Sequence, residues 1–323
     1  MDETRQDAGQ PISVDNAPRP NTGRRFPMWR WLARVAVALL IALAMAENLH
    51  TSWQRWGDVV IDCGRELDTP RQLAGGATLY KDIRYWYGPL PPYVNAVLFR
   101  IFGVHLSVIT TAGMVVTALT AWLTYRLVRQ FAARAPAAAA AVAFLYVCAF
   151  GHYLTVNIFN SVLPYACPAT YGMLLAMASI YFLIRHAARH RNQNFVLSCV
   201  FLSLTALCKI EVLVAVAVPH AMFLLAWLLA GRLRRRFYLV SYAAAIALPV
   251  AVFGYFYART GNELLADNLF LPGNVAASAF TLEHTGLDQP AESLKAVGIG
   301  SAALAGCLVA LGVAAFAERR IRR

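Results

Sequence analysis

The sequence predicts an all-α integral membrane protein of about eight transmembrane helices, with a large first extracytoplasmic loop that contains short interfacial helices. Three observations predict it. Of the 323 residues, 59% are hydrophobic and 14% charged, against about 25% charged in an ordinary soluble domain, so most helices must face lipid. Long apolar runs are separated by short arginine clusters. The net charge of +12 is concentrated in those clusters, where it acts as a topology signal and not as a nucleic-acid surface.

The expected spans are Leu32 to Glu47, Leu106 to Tyr125, Ala137 to Phe150, Tyr171 to Ile184, Phe195 to Leu207, Val212 to Leu229, Leu239 to Phe256 and Ala296 to Ala317. Arg24, Arg25 and Arg30 precede the first. Later clusters are Arg126/Arg129/Arg134, Arg185/Arg189/Arg191, Arg232/Arg234/Arg235/Arg236 and Arg319/Arg320/Arg322/Arg323. With eight spans every cluster falls on one side, and the positive-inside rule makes that side the cytoplasm. Both termini are then cytoplasmic, and the segment 51–103 lies outside. Residues 1–27 are polar, include Pro11, Pro18 and Pro20 and show no apolar periodicity, as expected of a disordered cytoplasmic tail. Residues 28–323 form the polytopic domain. The first apolar run is long enough to remain as an anchor and lacks a small-residue cleavage site, unlike a signal peptide. The six cysteines have no metal-ligand spacing. Cys63 and Cys167 fall on the same expected face, which leaves a disulfide between them open.

Phe195 to Leu229 is too long for one span. As a single helix its ~35 residues would reach roughly 52 Å, against a hydrocarbon core of about 30 Å. A hairpin turning near Lys209 and Glu211 divides it and keeps the Arg232 to Arg236 cluster inside, so these two charges are expected at the outer face. They are either a local ion pair in an apolar setting or part of a site. The run from Ala135 to Ile184 lies between two cytoplasmic clusters and must therefore cross twice. Its middle carries His152, Asn157, Asn160 and Tyr165, hydrogen-bonding groups suited to a sugar-binding wall. A polar turn stiffened by Pro164 and Pro168 explains them equally well.

The first loop concentrates acids. Asp58, Asp62 and Glu66 recur every four residues, so a helix would align them on one face. They are either catalytic carboxylates or partners of Arg55 and Arg65. Thr69-Pro70-Arg71-Gln72 has the form of a capping box with proline at the first helical position, and predicts a short helix from Pro70 to Gly75-Gly76. Lys81, Asp82 and Arg84 then sit among Tyr80, Tyr85, Trp86, Tyr87 and Tyr93, a composition suited to the membrane interface and to stacking on sugar rings. Pro91 and Pro92 start a second helix, Tyr93 to Phe102, which Gly103 stops. Val94, Val97, Leu98 and Ile101 form its apolar side, so it is expected to lie along the outer bilayer surface.

Three motifs carry a resemblance: Asp62-Cys63-Gly64-Arg65-Glu66, the stretch from Pro70 through Leu73, Gly76, Leu79 and Tyr80 to Asp82, and Tyr87-Gly88-Pro89-Leu90-Pro91-Pro92-Tyr93. With the Lys209/Glu211 turn and the Arg259 to Pro272 loop, the chain resembles the polytopic C-fold (GT-C) glycosyltransferases that use polyprenyl-phosphate sugars. That family includes protein O-mannosyltransferase, aminoarabinose transferase and rhizobial lipopolysaccharide sugar-transferase relatives. The resemblance implies a protein of the bacterial inner membrane that transfers a hexosyl or pentosyl unit, with inversion, to a lipid, polysaccharide or protein acceptor on the periplasmic face. It implies an acidic residue of the first loop as general base, with Asp62 matching the usual position best, Glu66 second and Asp58 third. Glu66 would bind the acceptor or orient a divalent cation, which is left open as a cofactor. Lys209, with Lys81 or Arg259, would stabilise the departing phosphate. Arg65, Asp82, Tyr87, Asn160, Tyr165 and Glu211 complete the expected substrate-binding set. Many relatives begin the loop motif with adjacent acids, whereas here Cys63 follows Asp62. Relatives also continue through further helices, whereas this chain ends at Arg323 after the eighth expected span, so a short, divergent or inactive member is expected. A transporter or flippase would use the same outer charges as a substrate pathway, and a noncatalytic subunit would merely bind the lipid-linked sugar. No repeat between the two halves favours the transporter.

Overall fold

A computed structural model describes residues 28–53, 63–150, 160–231, 235–268, 279, 282–283 and 288–321. Among these there is no strand, and the longer helices are α1 Met28–Ser52, α2 Gly64–Ala74, α3 Leu90–Phe102, α4 Leu106–Val128, α5 Arg134–Ala143, α6 Cys167–Arg189, α7 Asn192–Ala206, α8 Ile210–Leu229, α9 Arg235–Thr260, α10 Asn262–Asn268 and α11 Pro290–Ile321. A π-helical turn, Phe144–Ala149, continues α5. Five helices are long and apolar enough to cross a membrane: Trp31–Ser52, Leu106–Val128, Cys167–Arg189, Ile210–Leu229 and Arg236–Thr260. Of the other three expected spans, α5 with its π turn is an apolar helix shorter than those five. The 15 residues of α7 reach only about 22 Å. The third falls within α11, half of whose side chains lie outside the described set.

Helix directions follow from the contacts. A Cβ on Gly113 of α4 would meet the Val162 carbonyl oxygen at 1.9 Å, just before α6 begins, while Arg126 near the end of α4 reaches Tyr181 in the second half of α6. These two helices therefore run parallel, and α5 between them runs back, as two crossings between residues 135 and 184 require. The expected hairpin at Lys209 is also present: α7 ends at Ala206 and α8 starts at Ile210.

A buried polar network holds α6, α7, α8 and α9 in register. The Ser179 hydroxyl donates to the Ser198 carbonyl at 2.8 Å and the Ser198 hydroxyl to the Ser179 carbonyl at 2.7 Å. Both hydroxyl protons are thereby committed. The Ser179 oxygen is left to accept from His220 Nε2 at 2.9 Å, and Nδ1 to accept from the Tyr242 hydroxyl at 2.9 Å. With its proton on Nε2 a neutral imidazole satisfies both ring nitrogens here, which suits a group surrounded by lipid-facing helices.

One expectation fails. Thr69-Pro70 does not start a helix, because α2 begins at Gly64 and carries Pro70 inside it. The Gln72 amide that would have closed the capping box donates instead to Asp68 at 2.5 Å, and Arg71 pairs with Asp68 at 2.5 Å. The end of α2 is where the glycines put it, with Gly76 at φ +100. Its last carbonyls, those of Leu73 and Ala74, accept from Arg100 of α3 at 3.2 Å each. The α3 helix stops where expected, with Gly103 at φ +85, but starts at Leu90 rather than Tyr93, which puts the prolines inside its first turn. Asn95, Ala96 and Phe99 are buried while Val94, Val97 and Ile101 are exposed. Cys63 and Cys167 are both buried and are not joined by a disulfide, and the Cys63 thiol donates to the Leu163 carbonyl at 3.6 Å. Asp58 and Asp62, His152 and Asn157, and residues 269–272 of the expected Arg259 to Pro272 loop lie outside the described residues, while the rest of that loop is helical, Arg259 closing α9 and Asn262–Asn268 forming α10.

Candidate active site

The first turn of α2 presents Arg65 and Glu66, and the carboxylate suits the positive end of the helix. Glu66 is 2% exposed. Its Oε2 accepts the Cys167 backbone N–H at 3.2 Å and its Oε1 lies 3.4 Å from Arg65 Nε. Burial pushes its carboxyl above the ordinary range, opposed by the Arg65 charge and the Cys167 N–H. The Arg65 guanidinium donates to the Tyr165 carbonyl at 3.0 Å. Glu66 and Arg65 thus tie α2 to the start of α6, across a hundred residues of chain.

The loop after α2 places an aromatic ring beside them. The Asp82 carboxylate accepts the Thr78 N–H at 2.7 Å and closes a tight turn. Tyr80 follows in the left-handed region at φ 65, nearly fully buried, and its hydroxyl donates to the Tyr87 carbonyl at 2.7 Å. Its ring meets Phe256 of α9 edge-on at 5.1 Å. The chain then pairs with the turn between α7 and α8: Gly88 N–H donates to the Cys208 carbonyl at 2.8 Å and Leu90 N–H to the Leu207 carbonyl at 3.0 Å. Tyr87 is thereby fixed next to Lys209. Lys209 Nζ lies 5.2 Å from the centroid of the Tyr87 ring, and Arg65 Cζ lies 5.2 Å from the same centroid and 5.4 Å from that of Trp86. Two cations therefore share one aromatic ring, with a buried carboxylate behind them. The Lys209 side chain is 15% exposed and its pair with Glu211, at 3.7 Å, is looser because Glu211 is 66% exposed.

Of the expected site residues, Arg65, Glu66, Tyr87, Tyr165, Lys209 and Glu211 come together here. Others do not join them. Lys81 is exposed, Asp82 is committed to its turn, and Arg259 lies over the Tyr255 ring of its own helix at 4.9 Å. Asn160 is buried and folds its own segment, its Oδ1 accepting the Val162 N–H at 2.8 Å. Sequence reasoning missed the Tyr171 hydroxyl, which donates to Asn95 Oδ1 at 2.7 Å between α6 and α3, beside Glu66 and Cys167. The available signal was Asn95, a polar residue on the side of α3 opposite its apolar stripe. From Tyr171 an apolar groove of about 520 Å³ runs between α3 and α4, lined by Val94, Leu98, Phe102, Val108 and Val115. Among the described residues no group of three or more His, Cys, Asp or Glu could hold a metal ion.

The family model for dolichyl-phosphate-mannose-protein mannosyltransferase matches residues 87–257, more than half of the chain. The chain belongs to this family. The mannosyltransferase-family match begins at Tyr87 and takes in α3 to α9, Lys209 included, while Arg65 and Glu66 precede it. No curated protein and no solved structure matches the chain. Membership makes the protein a multi-pass membrane glycosyltransferase of the kind that draws its sugar from a polyprenyl-phosphate donor.

The buried Glu66 carries a stability signature. Its carboxyl titrates higher in the folded chain than the ordinary 4.5, so over the interval above that value the folded state binds more protons than the unfolded one. Stability contributed by the protonated form is then lost as pH rises through the folded value. Thermal melts in detergent are expected to show wild type losing ground to Glu66→Gln as pH increases from about 4.5 upward. A difference that stays flat, or that favours wild type at higher pH, would contradict this account of the carboxyl.

Proposed function

We propose that the protein transfers one sugar, with inversion, from a polyprenyl-phosphate donor to a lipid, polysaccharide or protein hydroxyl on the periplasmic face of a bacterial inner membrane. In this reading there are eight spans and both termini are cytoplasmic. The observation that carries it is the convergence of Arg65 and Lys209 on Tyr87 at the end of the bundle opposite Arg126 and Arg185. The donor is a phosphodiester with one negative charge. When the acceptor oxygen bonds to the anomeric carbon and the bond from that carbon to the phosphate oxygen breaks, the leaving polyprenyl phosphate gains a second. Two cations held in a partly dry site answer that change.

The proton of the acceptor hydroxyl passes to a carboxylate, and Asp62 is the base in this reading. Glu66 supports the assignment by being occupied elsewhere: both of its oxygens face protein donors, so it holds Arg65 and the start of α6 in place. Asp62 lies four residues before it in sequence, with Asp58 four further back. The apolar groove that opens from Tyr171 offers the prenyl chain a path out toward lipid, and the exposed Val94, Val97 and Ile101 suit α3 to the bilayer surface.

Purified full-length protein, supplied with polyprenyl-phosphate sugars and candidate acceptors, tests this by release of polyprenyl phosphate coupled to a new glycosidic bond. Asp62→Asn is expected to lower transfer about 100-fold while donor lipid still binds. Movement of the donor across vesicles without any glycosidic bond would instead identify a flippase. Glycolipid and surface-polysaccharide profiles of a deletion strain and its complement would then name the sugar and acceptor together.

A further inference from the structure

At the other end of the bundle, two guanidinium groups converge on one oxygen. Arg126 Nη2 of α4 lies 2.8 Å from the Tyr181 hydroxyl and Arg185 Nη1 of α6 lies 3.3 Å from it. Both guanidinium carbons also sit over the Tyr181 ring, at 5.7 and 5.6 Å, and Arg126 lies over Trp122 at 5.2 Å. Among the described residues no carboxylate pairs with Arg126, Arg129 or Arg185, since the ion pairs there are Arg65–Glu66, Arg71–Asp68 and Lys209–Glu211. Arg185 Nε and Gln130 Nε2, at the same end of these helices, are buried donors with no partner among those residues. Two like charges on one phenol repel. The phenol oxygen accepts from both, which leaves its own O–H to donate to an anion.

The helix C-termini alone would attract these arginines, but they do not explain why both guanidiniums reach for the same phenol, where repulsion is greatest. An anion between them relieves that repulsion and takes up the unused donors. Its chemical class is set by what lies alongside. Trp122 is 50% exposed, and Leu119, one turn earlier on α4, is 45% exposed. This apolar stripe leads from the arginines along the outside of the helix.

We infer that Arg126, Arg185 and the Tyr181 hydroxyl bind the phosphate of an anionic phospholipid whose acyl chains lie along Trp122 and Leu119. The site is independent of the sugar-transfer chemistry, and it fits the preference of basic pockets between transmembrane helices for anionic head groups.

Native mass spectrometry and thermal melts of the full chain in mild detergent read this directly. Phosphatidylglycerol is compared with phosphatidylcholine of the same acyl chains, and with inorganic phosphate at matched concentration. Wild type is expected to retain phosphatidylglycerol with about tenfold preference and to melt higher with it alone. The Arg126→Gln/Arg185→Gln double variant should lose that preference. Should the double variant fail to fold, Tyr181→Phe, which removes only the shared oxygen, is expected to weaken it. Equal retention of the two lipids, protection by inorganic phosphate alone, or an unchanged preference in a folded double variant or Tyr181→Phe would each overturn the assignment.

Discussion

Replacing Lys209 with alanine is expected to lower turnover about 100- to 1,000-fold, the range seen when a preorganised group facing developing charge is removed, with little change in KM. The donor already carries one phosphate charge before the reaction, and Arg65 remains to bind it. What the variant lacks is the second cation, needed only once the bond to the anomeric carbon has broken, so the loss belongs in kcat. The 15% exposure of the Lys209 side chain keeps that interaction poorly screened. Glu211→Ala is the control. Its exposed carboxylate forms the kind of ion pair that contributes little, so it should leave kcat nearly unchanged. Steady-state rates of polyprenyl phosphate release decide the matter, and a Lys209→Ala enzyme with normal kcat and raised KM would make Lys209 a binding residue only.

The position of Lys209 was legible from length and charge alone. A 35-residue apolar stretch cannot be one span, and the only charges within it mark the turn. The same reasoning found the two antiparallel helices between residues 135 and 184 and the end of α3, where glycine acts locally. The start of α2 was misread because Thr69-Pro70 is a sound local signal overridden from a distance: Glu66 is held by the Cys167 N–H and Arg65 by the Tyr165 carbonyl, contacts that fix a first turn no capping rule anticipates. Lys81 and Arg259 were natural candidates by charge. Sequence cannot tell a cation beside the site from one on an exposed turn or helix face, because the difference lies in tertiary packing. Tyr87 lies in a motif, yet its role depends on backbone pairing with Leu207 and Cys208, which nothing in either segment announces.

That pairing is the feature most open to a single substitution. Gly88→Ala is expected to lower transfer about 100-fold, leaving measurable residual activity, and to lower Tm by about 5 °C or more. A Cβ at residue 88 would meet the Leu207 carbonyl oxygen at 2.2 Å and its carbon at 2.3 Å. These are backbone atoms, which cannot rotate away like the tip of a side chain, so the strands of loop must separate. Overpacking of this kind costs about 1–3 kcal/mol. Separation also strands the Gly88 and Leu90 N–H donors, each worth about 1 kcal/mol net. Activity should suffer more than stability, because the same displacement carries Tyr87 away from Lys209 and disturbs the ring that Arg65 shares. Gly75→Ala, where the nearest atom to an added Cβ is the Gln72 carbonyl oxygen at 3.3 Å, should be mild by comparison. If Tyr87 and Lys209 act through this one arrangement, Gly88→Ala combined with Lys209→Ala loses no more activity than Gly88→Ala alone. Full activity in Gly88→Ala would mean that the loop does not approach the α7–α8 turn as closely as described, and additive losses would mean that Lys209 works without Tyr87 beside it.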